Sequence, residues 1–176
     1  MHMPEDTLVI VRHNLIDTQV NHIRMVAEHG KAVVDMDGGL QSAVMLSLAT
    51  EALGQENVTP VYTGMVVDPH RLNLARQAAY HAGVMLVEVD MSDIFDTTLQ
   101  HVKSAIAKAG YSDVNQRQVA NSLLPVLRAM IQNPIGDATC ALMGSPTRFG
   151  LGCLDWHTDL LREIAVILNI PPEVIG

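Results

Sequence analysis

Residues 32–42 read Ala32-Val33-Val34-Asp35-Met36-Asp37-Gly38-Gly39-Leu40-Gln41-Ser42. A short, mostly apolar run meets a diglycine, and the chain then continues to Leu53 without a breaker before Gly54. This pattern predicts a buried strand, a tight turn and a helix from about Leu40 to Leu53. A strand that enters a helix through glycines leaves backbone N–H groups and the positive end of the helix dipole facing outward, which suits an anion. Taken alone, the two glycines describe a plain tight turn equally well.

The flanking sequence extends the same alternation. Apolar residues at Ile16, Val20, Ile23 and Ala27 fall on one helical face, which predicts a helix over 15–29 with Gly30 as its C-cap. Val58 to Tyr62, Val84 to Val89 and Ala138 to Met143 read as further strands. Asp68-Pro69 supplies N-cap and N1 chemistry for a helix to about Ala82, ended by Gly83. Ser92 or Asp93 opens another, to about Ala109. Asn115 to Gln132 is a helix that Pro125 should kink or split. Asp155 or Thr158 opens a last helix, which stops before Asn169, ahead of Pro171-Pro172. Strands alternating with helices predict an α/β fold: a parallel sheet with helices on both faces, Rossmann-like, in one domain over residues 1–176. Such sheets bind ligands beyond the carboxyl ends of their strands, at the switch point. Two turns qualify, Asp37 to Ser42 and Gly144 to Arg148.

Composition excludes several classes. Apolar residues make up 48% of 176, so the chain can bury a core. The formal net charge is −8, and one Trp, three Tyr and two Phe offer few stacking platforms, so a nucleic acid is not an expected partner. No apolar run reaches the ~18 residues of a membrane span, and Met1 to Asp6 carries no basic leader, so a cytoplasmic location and no membrane partner are expected. Cys140 and Cys153 form no CxxC motif. His22 and His29 stand seven residues apart on one helix, about 10 Å of rise, too far to share a metal. No metal ligand set is assigned. Ser42 lacks the Gly-x-Ser-x-Gly elbow of hydrolases.

The hexapeptide Asp37-Gly38-Gly39-Leu40-Gln41-Ser42 resembles the Ser-Gly-Gly-x-Asp-Ser phosphate loop of the ATP-pyrophosphatase (PP-loop) superfamily, in particular the ammonia-dependent NAD synthetases. Ala52 to Val58, Val89 to Asp96, Trp156 to Ala165 and Ile170 to Ile175 resemble further segments of that family in the same order. The resemblance implies an adenine-nucleotide alpha-hydrolase-like fold and a homodimer, with the helix from Asn115 and the N-terminal helix at the interface. It implies ATP and Mg²⁺ as cofactors. The implied reaction adenylates the carboxylate of deamido-NAD, and ammonia then displaces AMP.

The departures fall on the working positions. Asp37 stands where the family has Ser; an ionised carboxylate about 4 Å from a phosphate charge is worth roughly 4 kcal/mol of repulsion at an effective dielectric near 20. Alternatively, Asp37 caps the helix and faces away. Gln41 stands where the family has a magnesium-binding Asp, and a neutral amide is the poorer ligand. In the second turn Gly144 matches, Ser145 is a mild change, Arg148 takes the place of a Lys, and no metal-binding Glu follows. On the substrate side only Asn115 matches the family's Glu-Asn-x-x-Ala-Arg. Family members continue past the position of Gly176 with a substrate-binding tail, so a shortened member is expected. The sequence therefore points to an NAD-synthetase-like protein that is non-catalytic or a weak nucleotide binder. The alternative is a genuine amide-forming ligase of minimal size. A closed cleft would place Asp37 in a salt bridge with Arg148 or Arg12.

Overall fold

A computed structural model describes residues 5–27, 29–64, 68–111, 115–139, 142–144 and 158–176. The elements run α1 (Glu5–Val26), β1 (Ala32–Met36), α2 (Leu40–Leu53), β2 (Val58–Gly64), α3 (Pro69–His81), β3 (Val87–Asp90), α4 (Ser92–Lys108), α5 (Gln116–Thr139), β4 (Leu142–Gly144), α6 (Thr158–Ile167) and α7 (Pro172–Ile175). A 3-10 turn, Gln55–Asn57, joins α2 to β2. The four strands form one sheet in the order β3-β2-β1-β4, and each described pairing is parallel. The expected fold class is the one found.

Strand β1 lies inside the sheet, and its alternation sorts the two faces. Ala32, Val34 and Met36 join the larger core with α1, α2, α3, α6 and α7. Ile16, Val20 and Ile23 of α1 enter that core as their spacing predicts, and Ala27 is buried beside them. Met91 and Phe95 at the start of α4 and Leu127 of α5 form a second, smaller core. The guanidinium of Arg24 on α1 donates to the carbonyls of Ala52 and Glu51, satisfying acceptors that the end of α2 leaves open.

Helix punctuation accounts for most boundaries. The Asp68 carboxylate accepts the Arg71 N–H at 3.1 Å with Pro69 in the first turn, as expected. At the far end of α3, Gly83 N–H bonds Tyr80 O and Val84 N–H bonds Ala79 O, with Gly83 at φ +71°. This Schellman closure uses the Val84 amide, so β3 begins at Val87 rather than Val84. Asn169, at φ +56°, closes α6 in the same way, with Ile170 N–H on Ala165 O. A short new helix then starts at Pro172.

Further expectations need correction: α1 begins at Glu5 rather than at residue 15. The N-cap of α4 is Met91, which makes no side-chain cap bond, rather than Ser92 or Asp93; just before it, Asp90 Oδ1 accepts both the Ser92 N–H at 2.9 Å and the Ser92 hydroxyl at 2.6 Å. These bonds hold the Asp90 carboxyl below its ordinary value. Helix α5 is not split at Pro125; it runs from Gln116 to Thr139 with Pro125 and Pro134 inside it. Packing of Leu123, Leu124, Leu127 and Ile131 against Met91 and Phe95 outweighs the local cost of the prolines. Ala138 and Thr139 therefore end a helix, and β4 is Leu142–Gly144. The alternative start of α6 at Asp155 lies outside the described residues.

Candidate functional site

The sheet order fixes where the site is. From β1 the chain crosses to β2 on one side, and β4 flanks β1 on the other. The carboxyl end of β1 is thus the switch point, and it leads directly into Asp37. Gly144 ends β4 beside it, with Val34 as register partner. The structure therefore brings Asp37, Gly38, Gly39, Gln41, Ser42 and Gly144 to one edge. Ser145 and Arg148 lie outside the described residues, as do Cys140 and Cys153.

The turn satisfies itself. Asp37 Oδ1 accepts the Gly39 N–H at 2.8 Å and the Ser42 hydroxyl at 2.8 Å. The Ser42 oxygen also lies 2.9 Å from Gly39 O and accepts weakly from the Asp37 N–H at 3.4 Å. The carboxylate has curled back into its own turn, where two donors suited to an anion hold it. Its second oxygen lies 3.9 Å from Nη1 of Arg71, and Arg71 Nε is 3.7 Å from Asp68. Among the described residues the partner of Asp37 is thus a cation of α3. Arg12, one of the two expected cations, instead pairs with Glu163 at 2.6 Å and ties α1 to α6. Gly38 adopts φ +74°, and a Cβ there would strike the carbonyl of Arg71. The first turn of α3 therefore closes directly over the glycine turn.

Beside this turn lies a cavity of about 310 Å³ at the carboxyl ends of β2 and β3, lined by Tyr62, Gly64, Asp68, Leu72, Glu88 and Asp90 among others. The Tyr62 ring packs against Gly64, and burial raises its phenol above the ordinary value. Arg76 of α3 grips Glu88 through two bonds of 2.7 and 2.8 Å, which lower the Glu88 carboxyl. On the other face of the sheet, Gln132 of α5 donates to Asp35 at 2.5 Å and to Thr63 at 3.1 Å. The Nε of Arg128 on the same helix is buried without a hydrogen bond among the described residues. None of Asp35, Thr63, Arg71, Arg128 and Gln132 was singled out from sequence. One signal was available: Asp35 is a charge inside an otherwise apolar strand.

Asn115 does not join this group. Its side-chain oxygen accepts the Gln118 N–H at 3.1 Å, so it caps α5. Residue 116, the first of α5, is sixteen residues from Gln132, about 24 Å of helix rise. The described part of the site offers magnesium no ligand set. Gln41 is exposed and neutral, the Asp37 carboxylate is engaged, and no cluster of three potential ligands occurs among the described residues. No helix of the described residues is long and apolar enough to cross a membrane.

Comparison with known proteins agrees with this architecture. A sequence profile described as NAD synthase matches residues 11–175. The chain belongs to the NAD synthase family. It is 31% identical over 141 residues to a glutamine-dependent NAD(+) synthetase of Thermotoga maritima, covering 80% of this chain and 24% of that protein. Across four curated relatives the chain spans 18–59% of their lengths. Among solved structures, an NH3-dependent NAD synthetase from Campylobacter jejuni, in complex with nitrate, superposes with a TM-score of 0.74 at 13% identity, covering 93% of this chain and 76% of that one. A glutamine-dependent NAD+ synthetase from Acinetobacter baumannii, in complex with ADP, gives a TM-score of 0.75 at 17% identity, covering 100% and 37%. At those identities the likeness establishes the fold of this NAD synthase family member.

The close approach of α3 to the turn gives a testable contrast. Gly30 and Gly38 both have positive φ, but a Cβ at Gly30 meets nothing within 4 Å. Gly30→Ala should cost about 1 kcal/mol in urea unfolding, from backbone strain alone. Gly38→Ala should cost at least twice that. Equal costs would contradict the packing of α3 on the turn.

Proposed function

We propose that this NAD synthase family member is a single nucleotide-binding-fold domain that does not carry out the synthetase reaction by itself and binds nucleotide weakly. One observation carries this reading: Asp37 takes the Gly39 N–H and the Ser42 hydroxyl, donors that a phosphate oxygen would need. An anion entering the turn must displace the carboxylate and then sit beside its charge. Gln41 adds no negative ligand through which magnesium could offset that repulsion. The cavity beside Tyr62 remains open and suits the base and sugar of a nucleotide better than its phosphates.

A second reading, an ATP-dependent amide-forming ligase, is favoured by that same open cavity and by relatives named as NAD synthetases. It requires Asp37 to swing out and a cation such as Arg71 or Arg148 to take over phosphate binding. Release of pyrophosphate with a carboxylate substrate would support it.

Calorimetry with ATP, with and without Mg²⁺, separates the readings. The wild type should give no strong binding, and the Asp37→Ser/Gln41→Asp double variant should gain Mg²⁺-dependent affinity. Removing one repulsive contact of about 4 kcal/mol sets a ceiling near a thousandfold on the gain from Asp37. Wild-type binding as tight as the variant's would contradict the reading.

We also propose a cytoplasmic homodimer. Val126 and Met130 lie four residues apart on α5 and are 56% and 64% exposed, and Ile10 and Val11 of α1 are likewise exposed. Helix faces of this kind favour burial against a second copy. Sedimentation should find a dimer, and Met130→Glu should shift it toward monomer. A wild-type monomer at high concentration would contradict the assignment.

A further inference from the structure

Asp35 is a half-buried charge for which the phosphate turn has no use. It pairs in register with Val61 of β2, and the alternation of β1 sends its side chain away from the α2 core. On that side Gln132, only 5% exposed, extends Nε2 from α5. This nitrogen donates to Asp35 Oδ1 at 2.5 Å and to the fully buried Thr63 hydroxyl at 3.1 Å. One amide thus spends both hydrogens on two adjacent strands and fixes the helix across their carboxyl ends.

We propose that Asp35, Gln132 and Thr63 form a partly buried latch that holds α5 on the carboxyl ends of β1 and β2, tight when the Asp35 carboxyl is neutral and loosened when it is charged. The proposal is independent of whether the phosphate turn accepts nucleotide.

A neutral carboxyl accepts the Gln132 N–H without burying a charge. An ionised one keeps the bond but remains a partly buried charge, and water reaching it as α5 lifts would relieve the cost. The charged groups acting on Asp35 among the described residues are Arg128 from α5 and Asp37 from the end of its own strand. On this face strand β2 presents Thr63, Tyr62 lying on the opposite face with the larger core, and Leu142–Gly144 of β4 contains no titratable side chain. Burial holds the Asp35 carboxyl above its ordinary value; Gln132 and Arg128 oppose this and Asp37 reinforces it. A raised carboxyl contributes no penalty below the unfolded-state value. As pH rises from there through the folded-state value, the group ionises in both states and stability is lost. The latch therefore loosens toward neutral pH.

Amide hydrogen exchange of α5 tests this, with α2 as internal reference and Asp35→Asn as the neutral mimic. Comparing the two proteins at each pH cancels the intrinsic pH dependence of exchange. At about pH 3 the α5 amides should exchange alike in both, since a carboxyl of ordinary or higher value is then largely protonated. Near neutral pH wild-type α5 should exchange several-fold faster than Asp35→Asn, with α2 unchanged. Thr63→Val should speed α5 exchange at both pH values by removing one anchor without stranding Asp35. A wild-type to Asp35→Asn ratio that is flat with pH would overturn the proposal. So would a ratio that changes equally in α2 and α5.

Discussion

The central constraint is that β1 is paired on both edges and packed on both faces. Its backbone is committed to β2 and β4, and its alternate side chains to two different helical layers. Whatever follows Met36 is therefore delivered to the switch point with little freedom. The chain places a carboxylate there, directly before two glycines and a helix start. A turn whose free donors suit an anion has thus been given an anion of its own. The missing side chain at Gly38 then lets the first turn of α3 close over the turn, with Arg71 beside Asp37.

This changes what the phosphate turn means chemically. The strand, the positive-φ glycine and the helix start are all present, as a nucleotide-binding fold requires. The self-satisfied carboxylate alters the balance of charge at the point of contact. A family fold and a family reaction are separable in this way because the fold depends on the apolar strand and helix faces, whereas the chemistry depends on a few polar atoms at their ends. Asp35 of β1 extends the same pattern, since a second carboxyl is bonded by an internal donor, Gln132.

Local signals were the ones legible in the sequence. Strand β1, helix α2 with Gly54 at its end, and the Asp68-Pro69 start of α3 all follow from residues within a few positions of one another. The grouping of Asp37, Gly38, Gly39 and Ser42 was legible for the same reason. What escaped the sequence depends on distant partners. Gln132 and Asp35 are 97 residues apart, and nothing near either predicts their bond. Arg71 reaches Asp37 only because α3 packs over the turn, so Arg12 looked as good a partner until the fold placed it against Glu163. Proline propensity argued for a break at Pro125, but packing on α4 decided for a continuous helix.

The claim that the turn is occupied by its own Asp37 is tested most directly at the Gly39 amide. Titration of inorganic pyrophosphate, followed by the ¹⁵N–¹H resonances of Gly38 and Gly39, reports on that donor alone. The account predicts that the wild-type Gly39 resonance stays in place while that of Asp37→Ser moves with saturation. A wild-type Gly39 resonance that shifts and saturates like the variant's would show that the turn still receives phosphate, and would contradict it.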